Sequence, residues 1–492
     1  MLPIALDRQS EQPLYEQLKQ QVIRQIDEGT LAAGDRLPPT RTLAERLGIA
    51  RISVVNAYEE LKAEGYIRAH VGRGTFVAER QASAEPPTSS LTGTARAQGA
   101  ALRDLLRLAA RPGVIDFSPG PPAESFLPVA LIRESIDTVL ARDGAEAIAY
   151  EEPEGYAPLR DAVARMLRNL RLNVSGEEVL ITGGCQQALD LAVQALLNPG
   201  DVLLTTNPTY PGMLDIAQAR GVTPVGVPID DQGMQTDALE ALIVEHRPRL
   251  LYVAPTYHNP TGTVMPLPRR RRLLEIAAAY RLPVLEDGVY EDLSYAGTPP
   301  PPLKALDEGG LVLYASSFSK VLLPGMRIGY LLAGGRLHRR LTRVKAAADI
   351  CTPSLNQRAI HLALESGRLA EHIAHVQKVC RVRRAAMLEA LAAHLPTARG
   401  RARDGGLSLW RERPADGPSA TEFYLHAVKA GAAFAPGPLF YTDGGGAHHL
   451  RLNMVVHPPE VIAEGIARLG AVWGELAAAY EPPGRSRMAP FL

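Results

Sequence analysis

Residues 316–330 read SSFSKVLLPGMRIGY, at the end of the apolar run LVLYAS of residues 311–316. Lys320 stands in a strand-end loop, with the hydroxyls of Ser317 and Ser319 three and one residues before it and Arg327 seven residues after it. An amine in such a setting is equipped to form an imine with an aldehyde whose phosphate is held by the neighbouring hydroxyls and guanidinium. A lone loop lysine is more often a surface charge, so the reading depends on what accompanies it.

Five further stretches do so. LEDGVYEDL (285–293) places Asp287 and Tyr290 after the strand-like LPVL; a carboxylate there can pair with a protonated ring nitrogen and keep it cationic, or simply cap the next helix. APTYHNPTG (254–262) carries Asn259 on a strand exit, where an ordinary Asn-Pro turn is the plainer alternative. LITGGCQQALDL (180–191) reads as a strand, the Gly183-Gly184 turn and a helix start, whose backbone N–H groups suit a phosphate. In NPTYPG (207–212), Tyr210 is either a ring that stacks on an aromatic ligand or a core tyrosine. In LRLNM (450–454), Arg451 either grips a carboxylate bidentately or lies on a strand surface. The runs EEVLIT, DVLLTT, LLYVAP, LPVLED and LVLYAS alternate with amphipathic stretches, which predicts an α/β domain with a largely parallel sheet.

Upstream, ERQASAEPPTSSLTGTARAQG (79–99) has no apolar period and reads as a linker. Before it, Leu14, Leu18, Val22 and Ile26 mark one helix. Leu43, Ala44 and Leu47, closed by Gly48, mark a second, and Val54, Tyr58 and Leu61 a third. Two extended pieces joined at Gly72-Arg73-Gly74 complete a helix-turn-helix with a β-hairpin wing. Ser53 and Asn56 fall away from the core positions of the third helix, where a recognition helix meets base edges. Residues 1–80 hold eleven basic and eleven acidic side chains. The basic ones gather at Arg36, Arg41, Arg46 and Arg51 and on the wing, as phosphate contact requires.

The whole chain of 492 residues is as balanced, with 53 basic and 53 acidic residues, which argues against a polybasic coat. Its length is too great for one core. Cys185, Cys351 and Cys380 have no metal or disulfide spacing, and no apolar run approaches a membrane span, so a cytoplasmic protein without a metal centre is expected. The run Arg269–Arg272 reads as a solvated helix face.

Taken together and in order, the motifs from about Asp116 to Gly470 resemble the class I aminotransferases, which are fold-type I pyridoxal-phosphate enzymes. Pro13 to Val77 resembles the winged helix-turn-helix of GntR-class repressors. The fusion resembles the MocR/GabR family of bacterial transcription regulators. That resemblance implies a DNA-binding domain at 1–79, a linker at 80–110, an aminotransferase-like domain with a small C-terminal α+β subdomain at 111–480, and a tail at 481–492.

It further implies catalytic-type roles for Lys320 (internal aldimine), Asp287 (pyridine nitrogen), and Asn259 and Tyr290 (phenolic oxygen). Tyr210 would stack on the ring, and Gly184, Cys185, Gln186, Ser317 and Arg327 would hold the phosphate. Tyr150, in AYEEPEGYAPLR, would reach the phosphate of the neighbouring subunit of a head-to-tail homodimer. Arg451 would bind the carboxylate of a small amine or amino acid effector sensed by aldimine exchange at Lys320. Arg41, Arg51, Ser53, Asn56, Gly72, Arg73 and Gly74 would contact an operator in double-stranded DNA. A working aminotransferase with an accessory DNA-binding domain is the rival reading. Cys185 departs from the usual small hydroxyl residue of the phosphate cradle.

Overall fold

The computed structural model describes residues 4, 13–27, 30–31, 34–63, 66–70, 74–77, 106–120, 126–320 and 322–480. It divides into two compact units near residue 90.

In the smaller unit, α1 (Leu14–Asp27), α2 (Thr40–Leu47) and α3 (Arg51–Ala63) enclose Leu18, Val22, Leu43, Val54 and Leu61, all essentially buried. Gly48 ends α2 in the left-handed region (φ 63°), its N–H returning to the Ala44 and Glu45 carbonyls, which is the turn a glycine cap permits. Tyr58 donates its hydroxyl to the Pro38 carbonyl at 2.9 Å, tying α3 to the segment before α2. The wing strands β2 (Ile67–His70) and β3 (Gly74–Val77) pair antiparallel, and β1 (Arg36–Leu37) adds a third strand on the far edge of β3. Gly72 and Arg73 lie outside the described residues, and of Gly74 only the strand backbone is described.

In the larger unit, β4 (Ile115–Asp116) joins the C-terminal region, pairing parallel with Ala432–Ala433. The main sheet has the order β5-β12-β11-β10-β9-β6-β7-β8. Its members are β5 (Val179–Thr182), β6 (Val202–Asn207), β7 (Thr223–Asp230), β8 (Gly233–Met234), β9 (Leu250–Val253), β10 (Val284–Asp287), β11 (Val312–Ser317) and β12 (Gly329–Leu332). The pairs from β11 to β7 run parallel, whereas β12 is antiparallel to both its neighbours. The five strand-like runs coincide with β5, β6, β9, β10 and β11, each almost wholly buried as expected of a sheet covered on both faces.

β7 was not anticipated. Pro224 and Pro228 demote TPVGVPID as a strand, yet it pairs with β6 along six residues and is flanked outside only by the two-residue β8. Both prolines therefore sit near the sheet's edge, where a missing N–H costs little.

The small subdomain consists of an antiparallel sheet, Ser408–Glu412, His449–Asn453 and Ala435–Pro436, with the helices Arg368–His394, Ala420–Lys429 and Pro459–Ala479. The linker expected at 80–110 is shorter at its end. Ala109 is buried in the large unit's core and Leu106 lines its main cavity, because these two apolar residues of DLLRLAA (104–110) find partners there.

Arg269–Arg272 is not simply a solvated face. Successive residues on the helix Leu267–Tyr280 turn by about 100°, and one of the four points inward. Arg270 is fully buried and donates to the Met265, Pro301 and Pro255 carbonyls and to Thr256 Oγ1 at 2.8–3.1 Å. It thus braces the loop that leads from β9 to Asn259. Arg269 and Arg272 meet Asp230 and Glu240 instead.

Candidate cofactor pocket

A cavity of about 620 Å³ opens at the carboxyl ends of the parallel strands, the usual place for a ligand in an open α/β sheet. Its walls bring together Lys320, Asp287, Tyr290, Asn259, Tyr210, Cys185, Gln186, Ser317, Arg327 and Arg451, whose positions span most of the large unit's sequence.

At one end, the helix Cys185–Leu196 begins after Gly184, whose φ of 100° and missing Cβ matter. A Cβ there would lie 2.5 Å from an Arg327 guanidinium nitrogen. Arg327 therefore rests against the turn, donating to the Gly183 carbonyl at 2.9 Å and to Ser319 Oγ at 3.5 Å. Gly329 of β12 faces the same turn; its Cβ would lie 2.6 Å from the Gly184 backbone. The turn, Arg327, Ser317 and Ser319 make a phosphate-sized cradle of donors at a helix N-terminus.

In the middle stands Asp287, the last residue of β10 and nearly buried. Tyr252 donates its hydroxyl to Asp287 Oδ2 at 2.9 Å, the Val289 N–H reaches Oδ1 at 3.2 Å, and the Cys185 thiol lies 3.6 Å from Oδ1. Burial raises the Asp287 pKa, while these three donors and the Lys320 charge oppose the rise. Lys320 donates to the Gly120 carbonyl at 2.8 Å. Burial, with a smaller push from the Arg451 charge, brings its pKa down to about 8, against the pull of Asp287. Tyr210, just ahead of the helix Pro211–Ala219, is held by its hydroxyl's hydrogen bond to Gln186 Oε1 at 3.0 Å. Burial raises the pKa of the Tyr290 phenol to about 12, so it stays a neutral donor.

At the far end, Arg451 is buried, donating to Asn259 Oδ1 at 3.0 Å and to the Ser118 carbonyl at 2.6 Å, with its guanidinium 5.0 Å from the Phe440 ring centre. Its Nε has no hydrogen-bond partner among the described residues. Burial lowers its pKa, as expected of a cation kept for an anion.

Tyr150 is absent from this cavity. It is 84% exposed on its own chain's surface. In the smaller unit, Arg51 and Asn56 are exposed on α3, Ser53 is half-buried, and Arg41 is exposed and ion-paired with Glu45 at 3.1 Å.

Comparison with known proteins accounts for both units. Residues 113–469 match the family of class I and II aminotransferases, and residues 14–77 match the gntR family of bacterial regulatory proteins. The HTH-type transcriptional regulator YdfD of Bacillus subtilis is 31% identical across 94% of this chain and 97% of its own. The MocR protein of Rhizobium meliloti, a probable rhizopine catabolism regulatory protein, is 29% identical over 80% of each chain. The chain belongs to the MocR/GabR-type regulators.

Its large domain also resembles free-standing enzymes. A 2-aminoadipate transaminase of Thermus thermophilus is 39% identical over 78% of this chain and 96% of its own. The LysN crystal structure from that organism, complexed with N-(5'-phosphopyridoxyl)-L-leucine, superposes with a TM-score of 0.72, at 36% identity over 78% and 98% of the two chains. The cofactor of the MocR/GabR-type chain is pyridoxal 5'-phosphate. The pocket fits it by the chemistry of its donors: an amine, a buried carboxylate, and a cradle that a Cβ at Gly184 would fill.

Tyr252 escaped the sequence reading, although a hydroxyl in the otherwise apolar, fully buried strand LLYV signals a partner. Losing a hydrogen bond to a charged group costs about 1.5–3 kcal/mol. Tyr252→Phe is expected to weaken cofactor binding by roughly 10- to 100-fold, measured by titrating cofactor-free protein with pyridoxal phosphate and following absorbance. Unchanged binding would show that Asp287 does not depend on that hydroxyl.

Proposed function

We propose that this protein is a pyridoxal-phosphate-dependent, DNA-binding transcription regulator that senses a small amine or amino acid. The observation that carries the reading is the pairing, in one cavity, of Lys320 with a buried Arg451 whose Nε is unsatisfied, on a chain that also bears a gntR-type domain. When bound, pyridoxal phosphate supplies an aldehyde carbon able to exchange one primary amine for another, and a ring that withdraws electrons from it. Lys320 is the residue that would hold that position at rest, and an effector's amine would compete with it. Asp287 would keep a proton on the ring nitrogen, Asn259 and Tyr290 would address the phenolic oxygen, and Tyr210 would cover the ring. Arg327, Ser317, Gly184, Cys185 and Gln186 retain the phosphate. Arg451 orients the effector by its carboxylate, releasing Asn259 and the Ser118 carbonyl as it does so.

The functional form is a head-to-tail homodimer acting in the cytoplasm, in which the exposed Tyr150 reaches the partner's phosphate. Arg41, Arg51, Ser53, Asn56 and the wing around Arg73 contact the operator. An effector shifts DNA affinity only in so far as it binds two arrangements of the protein with different free energies.

The test is an absorbance titration of the loaded protein with a panel of amines and amino acids, repeated with DNA from upstream of its own gene. Arg451→Gln is expected to weaken the response to amino acids by about 2–5 kcal/mol, the cost of an unpaired buried carboxylate, while sparing amines that lack a carboxylate. Arg51→Ala is expected to weaken DNA binding and lower its salt dependence by about one unit of slope, without moving the cofactor spectrum.

Full-length similarity of the large domain to the Thermus transaminase favours a second reading, a working aminotransferase. Sustained turnover of an amino acid with a keto acid, together with no affinity for DNA, would decide for it.

A further inference from the structure

The helix Gly335–Asp349, GRLHRRLTRVKAAAD, follows β12 and packs through Leu337, Leu341 and Val344 into the core it shares with the helix Cys185–Leu196. At about 100° per residue, Arg336, Arg339, Arg340 and Arg343 fall within one arc of about 100°, centred roughly 120° from the packed face. All four are exposed. The exposed Ala347 shares their arc and no acidic residue does. The helix's one acid, Asp349, is taken by Lys345 at 3.0 Å and by Gln187 at 2.8 Å. Among the described residues none of the four arginines has an ion-pair partner; Arg343 Nε donates only to the Arg339 carbonyl. Elsewhere on the large unit, arginines such as Arg220, Arg269, Arg358 and Arg368 meet carboxylates. In a chain whose formal charge is zero, four uncompensated charges on two turns of helix form a concentrated positive stripe.

We propose that this stripe binds the phosphate backbone of duplex DNA, so that the large domain adds a contact of its own to those of the reader domain. The proposal rests on the DNA-binding reading above. Arg336 and Arg343 are about 10 Å apart along the axis, a length that covers roughly three phosphates of one strand at about 3.4 Å of duplex axis each. Guanidinium groups bind phosphate bidentately. Self-association through the same face is disfavoured, because a two-fold interface would set arginine against arginine. Contacts of this kind carry no sequence information and strengthen binding to all duplexes alike.

The experiment measures binding of the full, cofactor-loaded chain to a short duplex of mixed sequence by fluorescence anisotropy, across a series of potassium chloride concentrations. It compares the wild type with the variant Arg336→Gln, Arg339→Gln, Arg340→Gln, Arg343→Gln, in which glutamine keeps the helix propensity. The expected result is a slope of log affinity against log salt lower by about 2 to 3, at ~0.9 for each phosphate contacted, with unchanged cofactor absorbance and thermal melting. A wild type that binds the duplex with a slope the variant shares overturns the proposal and leaves the reader domain's role standing. A wild type that binds no duplex overturns the DNA-binding reading and this proposal with it. Loss of binding to phosphatidylserine vesicles by the variant, with its duplex slope intact, also overturns the proposal and assigns the stripe to an anionic lipid surface.

Discussion

Lys320→Ala is expected to abolish the visible absorbance that a cofactor held covalently by this lysine would give the loaded protein, and with it the spectral response to any amine. No other amine takes its place. Among the described residues lining the cavity, Lys320 is the one lysine, and its Nζ is already drawn into place by the Gly120 carbonyl. The environment also prepares that amine chemically. With a pKa of about 8 rather than the usual 10.5, roughly two orders of magnitude more of it is neutral, hence nucleophilic, at pH 7 than of a solvated lysine. Capture of added pyridoxal phosphate by the cofactor-free protein should therefore speed up as pH rises through about 8 and level off above it. Because the folded-state pKa is depressed, the protonated lysine is the form folding disfavours. The cofactor-free protein should gain stability between about pH 8 and 10.5, where the unfolded chain still holds the proton. A capture rate that kept climbing to pH 10 would contradict this account.

Asp287→Asn should have the next largest effect. The carboxylate sits buried with three donors aimed at it; burial raises its pKa against them, and a cation beside it would favour its charged form. An amide in its place keeps the shape and removes the charge that would keep the ring nitrogen protonated. Breaking a buried ionic pair costs about 3–5 kcal/mol, or roughly 10² to 10⁴ in affinity. Cofactor binding measured by equilibrium dialysis should fall by that factor. Exchange of the α-proton of a bound amino acid, followed by NMR in heavy water, should fall further, because it draws on the electron-withdrawing ring as well. Equal binding by wild type and variant would remove Asp287 from this role.

Most of the pocket was legible because its residues lie in short motifs at strand ends, and strand ends can be read from a run of apolar residues closed by glycine, proline or asparagine. Lys320, Asp287, Asn259 and Arg327 are all of this kind. Tyr252 and Arg270 were not legible for a different reason. Each is an ordinary residue type in an ordinary place, and its importance depends on which way one strand or one helix turn faces. β7 was hidden by its two prolines, which only its position near the sheet's edge makes acceptable.

The sequence by itself determined which chemical groups the chain can offer, the order of its two kinds of domain, and the secondary structure that carries each motif. These follow from local spacing, which secondary structure obeys directly. Tertiary structure alone decided which groups meet. Cys185 and Asp287 are 102 residues apart and Arg451 and Asn259 are 192 apart, yet each pair is in contact. Their meeting depends on a strand order, β5-β12-β11-β10-β9-β6, that departs from chain order. No local preference encodes that order; it emerges from burying both faces of one sheet at once.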